Sequence, residues 1–354
     1  MRNDLQPRKV GGAPGGFWKQ NLGALLAVLC VGMAGVARGQ STWNLDANGA
    51  WGTAGNWSPS GIPSAVGANV IFGSVITVNR TIDVGTRTVG FITFNDNNNY
   101  TLTTSGTLTM DVSSGSAWIY LPDANTGSHT IARPITLNDS LIITNLSSGG
   151  LTLSGIISGS QTVSLVGDGT NTVIFGASHT FTGNISLDNV KLVASTNARF
   201  GNNANDISLS NGAIVNTTGT FTLNAGRVIT VGTGGGALEQ NSTFTLTLGT
   251  ANQLTGSGAF LKTGAGILTL SAAQDYSGAY SMNAGTNNLS AANALGSVAS
   301  ITLDGGRMEV NNAGSINDSA HIIVNNGAIL DLNAIDETVG SLTMCGGTVT
   351  NSST

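Results

Sequence analysis

GSGAFLKTGAGILTLSAAQDYSG, residues 256–278, crowds five glycines around a single Lys-Thr pair, Lys262 and Thr263. A phosphate loop needs GxxxxGK[ST] followed by a helix, so that backbone N–H groups and a helix N-terminus hold the anion. Here Leu261 precedes Lys262, and ILTLS, apolar at alternate positions, follows. The Lys-Thr-Gly of serine β-lactamases requires SxxK and SDN partners that the chain lacks. The glycines therefore read as a tight corner between two strands, with Lys262 placed on the solvent face.

The same alternation runs outward in both directions. Leu151 and Leu153 flank Thr152, Phe244, Leu246 and Leu248 alternate with threonines, and Leu268 and Leu270 flank Thr269. Period two with threonine on one face is the pattern of a half-buried strand. Gly, Asn and Asp break these strands every few residues, where the backbone must adopt positive φ. Helical periodicity is nearly absent, SAANALGS (290–297) being the one stretch that reads as a single helical turn.

Composition points the same way. Fifty glycines and only 9% charged and 5% aromatic residues describe strands and turns. A 40% apolar share with six prolines is too hydrophobic and too proline-poor for a disordered chain. Units also recur: ISLSNGAIV (207–215) returns as ITLDGGRMEV (301–310) and IIVNNGAIL (322–330), and HTFTGNISL (179–187) is echoed by QDYSGAYSM (274–282). Echoes at variable spacing, without hairpin signals at fixed offsets, favour an all-β right-handed parallel β-helix, a β-solenoid, over a sandwich or barrel. At roughly 20 to 25 residues per coil the chain makes on the order of a dozen coils, about 60 Å of rod.

Residues 1–39 read as a signal peptide: Arg2, Arg8, Lys9 and Lys19 form a basic region, Leu22 to Val36 an apolar one, and Ala37 or Gly39 a small cleavage residue. Leu29 before Cys30 argues against a lipoprotein signal, and a retained anchor is the alternative to cleavage. Without this leader the chain, at −5 overall, becomes more acidic, which excludes nucleic acid as a partner. It then keeps one cysteine, Cys345, and so no internal disulfide framework. Residues 40–75 form a Trp-rich N-terminal cap region and 76–354 the solenoid. Trp43, Trp51 and Trp57, with Pro59 and Pro63, are read as rings laid over the first coil; the alternative is an exposed platform that contacts carbohydrate, with Trp118 as a further candidate. The far end, 340–354, stops where another strand should pair.

At this point a resemblance enters. LKTGAGILTLSAAQDYSGAYSMNAGTNNL (261–289) resembles the autotransporter-associated β-strand repeat, LxKxGxGxLxLxGxNxYxGxTxxxxGxL: Leu261, Lys262, Gly264, Gly266, Leu268, Leu270, Tyr276, Gly278, Gly285 and Leu289 fall on the pattern. Ala273 stands where the family often has asparagine, and Asn287 replaces an apolar residue. The clearest copy spans 256–289, a coil similar to the one that commonly follows it spans 319–354, and 42–63 with ANVIFGS (68–74) is similar to the Trp-rich start of large bacterial surface proteins. Residues 75–255 match in style alone. The resemblance implies a secreted or surface-exposed, non-enzymatic stalk or adhesin passenger. Its partners would be an extracellular glycan or the surface of a host or neighbouring cell, with outer-membrane association only through a C-terminal anchor this chain does not show.

Two rivals come from other classes. One is a carbohydrate-binding module using the N-terminal tryptophans. The other is a polysaccharide lyase or hydrolase built from Asp304, Glu309, Asp331, Asp336 and Glu337 with Arg307, although acids after strands are also what turns prefer. His129, His179 and His321 are isolated, without HxH or HExxH spacing, and VGDGTN (166–171) falls short of a calcium nonapeptide. No cofactor or metal is expected.

Overall fold

A computed structural model describes residues 39–103, 106–169 and 171–352. The leader, and with it the signal-peptide reading, lies outside the described residues. Residues 39–354 form one compact unit.

That unit is a parallel β-solenoid of about 13 turns. Turns as far as Asp275–Tyr276 contribute a strand to a 12-stranded sheet and then one to a 14-stranded sheet, and of these two only the second continues to Ser341–Cys345; a third face is a 4-stranded sheet in the N-terminal part and a 7-stranded sheet in the C-terminal part. Stacked strands run parallel and in register, as in Leu141–Asn145 over Ala117–Leu121 and Thr172–Phe175 over Gly150–Leu153. Backbone N–H and C=O groups that no intra-turn partner could satisfy are paired with the turns above and below. Because side chains alternate, one set points inward on every turn and builds a single apolar core the length of the unit.

The echoes of the sequence acquire different meanings. ITLDGGRMEV and IIVNNGAIL stack directly, Ile301 on Ile322 and Arg307 on Ile329. ISLSNGAIV has the same strand-turn-strand form but turns a different corner, from the 12-stranded into the 14-stranded sheet. Its Asn211 and Gly212 have φ of 54° and 81°, the left-handed backbone that favours these two residue types. The 290–297 stretch is turns with a bridge at Leu295, not a helical turn. Asn293 there takes φ of 56°, outside the right-handed helical region.

At the N-terminal end Trp57–Ser58 runs antiparallel to Gln40–Trp43, Trp57 opposite Trp43, and so closes the edge of the 12-stranded sheet. An uncovered edge is a template for pairing with other chains. Beneath it, Trp43 meets Trp57 edge-on at 5.1 Å, Trp51 meets Trp57 at 5.0 Å, and all three surround Phe72. Each indole N–H donates to a carbonyl, of Leu45, Pro63 and Trp51 respectively. Phe72 then stacks on Phe94 at 5.4 Å, which carries the ring stack into the core. At the other end, strands Ser341–Cys345 and Thr348–Thr350 leave Leu342 and Met344 45% and 46% exposed.

Replacing a buried tryptophan by alanine leaves a cavity that neighbours fill only in part, at about 3–5 kcal/mol. Trp57→Ala is expected to lower the urea midpoint by that scale, whereas Ser186→Ala, on the outer face, shifts stability by no more than about 0.5 kcal/mol. Equal midpoints for the two variants would refute the closing role of Trp57.

Candidate functional site

The structure redistributes the side chains singled out by the sequence. Trp43, Trp51 and Trp57 are 0%, 0% and 1% exposed, so the alternative reading of them as a carbohydrate platform does not hold: a ring enclosed on both faces has none to offer a sugar. Trp118 is half-buried and points outward from the 12-stranded sheet.

Lys262 also needs correction. It is fully buried, not on the solvent face. In Phe260–Thr263 it is Leu261 that points outward, and Lys262 occupies the inward column between Leu238 and Met282. Its Nζ donates to the carbonyls of Thr263, Gly264, Gly266 and Ala284 at 3.1, 2.9, 2.9 and 3.1 Å. The glycines do make the corner: Gly264 and Gly285 have φ of 76° and 71°, and a Cβ on Gly285 would strike the Gly266 carbonyl and the Lys262 ammonium. The corner turns its carbonyls inward, and Lys262 supplies the donors they lack. Burial pushes its pKa down to about 8.

Two histidines do the opposite job. The Nδ1 of His129 accepts from the Tyr100 N–H and that of His179 from the Ile157 N–H, each at 3.1 Å. Accepting at Nδ1 requires the neutral ring. Both are buried beside aromatic rings, His129 stacked 4.7 Å from Phe94 and His179 edge-on 4.9 Å from Phe175. Burial lowers both pKa values to about 4, with the Arg199 charge adding to the effect at His179. His321 lies apart, with Nε2 2.9 Å from the Thr343 hydroxyl.

Of the acids proposed for a lyase or hydrolase, three groups converge: Arg307 binds Glu309 at 2.9 Å and also contacts Asp331. Asp331 is fully buried and accepts from the backbone N–H groups of Asn333 and Ser352 and from the Ser352 hydroxyl. Its lone pairs are taken up in tying three successive turns together. Glu337 accepts the N–H groups of Ser315 and Ile316, Asp304 accepts from Asn325, and Asp336 is exposed. These are structural bonds, made at separate places. Among the described residues no group of three His, Cys, Asp or Glu side chains is arranged to hold a metal ion.

Sequence reading named Trp118 but missed the outer aromatic face to which it belongs. Phe91, Trp118 and Tyr120 project from neighbouring strands of the 12-stranded sheet, Phe91 lying 4.9 Å from Trp118 and Trp118 6.3 Å from Tyr120, centroid to centroid. The signal was present in FITF and AWIYL, runs with apolar residues on both faces of a strand.

No family model and no solved structure matches the chain. It is similar to the adhesin BmaC autotransporter of Brucella suis biovar 1 (strain 1330), 29% identical over 238 residues. This similarity and the β-solenoid together are consistent with an autotransporter passenger-like protein. The match covers 64% of this chain and 6% of the length of that curated relative.

Two expectations follow from the internal polar groups. Lys262→Met leaves four carbonyls facing an apolar side chain and is expected to destabilise the protein by about 2–4 kcal/mol in urea unfolding; an unchanged midpoint would mean that the corner carbonyls find other donors. For the histidines, a folded pKa near 4 against about 6.5 unfolded means that the unfolded state binds more protons between those values. Stability therefore falls as pH drops from 6.5 toward 4. A His129→Gln/His179→Gln variant keeps an acceptor, as Gln274 Oε1 does for the Leu254 N–H, and should lose less melting temperature than the parent between pH 7 and pH 4.5. Parallel losses would assign the acid sensitivity to other groups.

Proposed function

We propose that the chain is part of an exported, surface-exposed β-solenoid passenger with a non-enzymatic, adhesive role. The observation that carries this reading is the unbroken in-register stack of parallel turns in a chain similar to an autotransporter adhesin. Stacking turns about 4.8 Å apart produces length from few residue types, and about 13 turns correspond to a stalk of about 60 Å. Outward Ser and Thr rows, such as Ser164 with Ser186 at 2.8 Å and Thr230 with Thr255 at 3.1 Å, give it a polar coat without charge. A non-enzymatic role is supported by the engagement of Asp331 and Glu337 in structural bonds. Export is supported by the leader-like residues 1–39 and by the character of the similar protein.

Protease shaving of intact native cells, with mass spectrometry of the released peptides, tests the reading. Peptides from solenoid turns should appear without lysis. Recovery only after lysis would overturn surface exposure, and recovery only from culture medium would replace the stalk with a released product.

A further inference from the structure

The outward columns of the 12-stranded sheet change character along the solenoid. One column runs in register from Phe91 through Trp118 and Ile142 to Ser164 and Ser186. Tyr120 stands beside Trp118 in the next column. Serines hold the same position with the same parallel pairing, so folding does not require rings there. Elsewhere among the described residues the large aromatics are mostly inside: Phe72, Phe94, Tyr100, Phe175, Tyr276 and Tyr280 are all buried. Three rings gathered on one outer face, half-buried and in mutual contact, are surplus to the core.

The chemistry of the patch limits what covers it. The strands Asn69–Phe72, Phe91–Phe94, Ala117–Leu121 and Leu141–Asn145 contain no charged residue. A protein interface of this kind is enriched in arginine as well as aromatics, and an anionic partner would need cations. Beyond Ile142 the column instead continues as hydroxyls, with Ser164 and Ser186 bonded at 2.8 Å. A sugar ring has an apolar C–H face and a rim of hydroxyls, and ring faces beside hydroxyls complement both. We infer that this face binds a neutral glycan, its sugar rings packed on Phe91 and Trp118 and its hydroxyls meeting Tyr120 and the serine row. The inference rests on the adhesive reading above and names the class of ligand and the surface that takes it.

The full chain, run in native affinity gels containing hydroxyethylcellulose, xylan, galactomannan or soluble starch, tests it. At least one polysaccharide should retard the chain and protect Trp118 fluorescence from acrylamide. The outward double variant Phe91→Ala/Trp118→Ala, with an unchanged far-UV circular dichroism spectrum, should bind at least ten-fold more weakly. Trp118→Phe, which keeps a ring, should retain retardation while losing the fluorescence response, so the inference remains testable if the double variant does not fold. No retardation by any of the four, or equal retardation of parent and double variant, overturns it, as does binding of a cell-surface protein at this face without glycan. A chain found on the cell surface that promotes adhesion but ignores glycans sinks the patch and spares the adhesin reading; a chain absent from the surface that binds glycan does the reverse.

Discussion

Each turn of this solenoid depends on its neighbours for its backbone hydrogen bonds. The parallel ladders run between successive turns, as between Ile185–Asp188 and Ile207–Ser210, so a turn in isolation would leave its N–H and C=O groups unpaired. The register is held strictly because a slip of one residue would turn every inward side chain outward. The ladder thus converts sequence position into columns that run along the axis. An inward column meets the residues above and below it and the columns of the facing sheets, as where Phe94 stacks on His129. The closed N-terminal edge, with Trp57–Ser58 antiparallel and three tryptophans beneath, gives the first turn the neighbour that the ladder would otherwise lack.

Columns are tolerant of hydrophobes and demanding of polar groups, and the corners are where the demand is met. Where the chain bends between faces its carbonyls cannot all point along the ladder. Lys262 shares its three N–H donors among four of them, and Arg227, fully buried, does the same earlier in the chain for the carbonyls of Phe200, Gly201, Asn202 and Asn205, its guanidinium 5.3 Å from the Phe200 ring. Burial lowers the Arg227 pKa to about 10 while the Asp206 charge opposes the shift. Where an N–H points inward instead, His129, His179 or Gln274 accepts it. A basic residue or a histidine in an apolar column is here a device for finishing a corner, which is why isolated histidines and a glycine-flanked lysine carry no catalytic geometry.

How much of this could be read from the sequence depends on whether alternation was unambiguous. TLTL at 245–248 and ILTL at 267–270 declare their faces, and the stacking of Leu246 on Leu268 follows. The asparagines and glycines declare their turns. FLKT at 260–263 does not declare its face, because Leu261 and Lys262 compete for the inside and hydropathy favours the wrong one; the decision lies in the four carbonyls of a corner that no local pattern reveals. Tryptophan is ambiguous for a related reason: the same ring suits a core or a sugar, and only the partner strand at 57–58 settles where Trp43 goes. The lyase acids could be placed on neighbouring turns, but the backbone donors that occupy Asp331 and Glu337 could not be seen.

The inner and outer columns are therefore under different constraints. An inner position is answerable to its neighbours above and below: Asn287, set between Leu268 and Met308, is buried with no partner for its amide, and is the departure from the repeat pattern noted at that site. An outer position is answerable to the ladder only through its backbone, so Phe91, Trp118, Ile142 and Ser164 occupy one column with equivalent parallel pairing. Variation that the fold does not demand accumulates outside, and a cluster of rings there costs solubility without adding to the core. In a solenoid, residues that serve recognition are therefore to be sought where adjacent turns place unlike side chains in one outer column, and the 12-stranded sheet between Phe91 and Ser164 is where that change occurs.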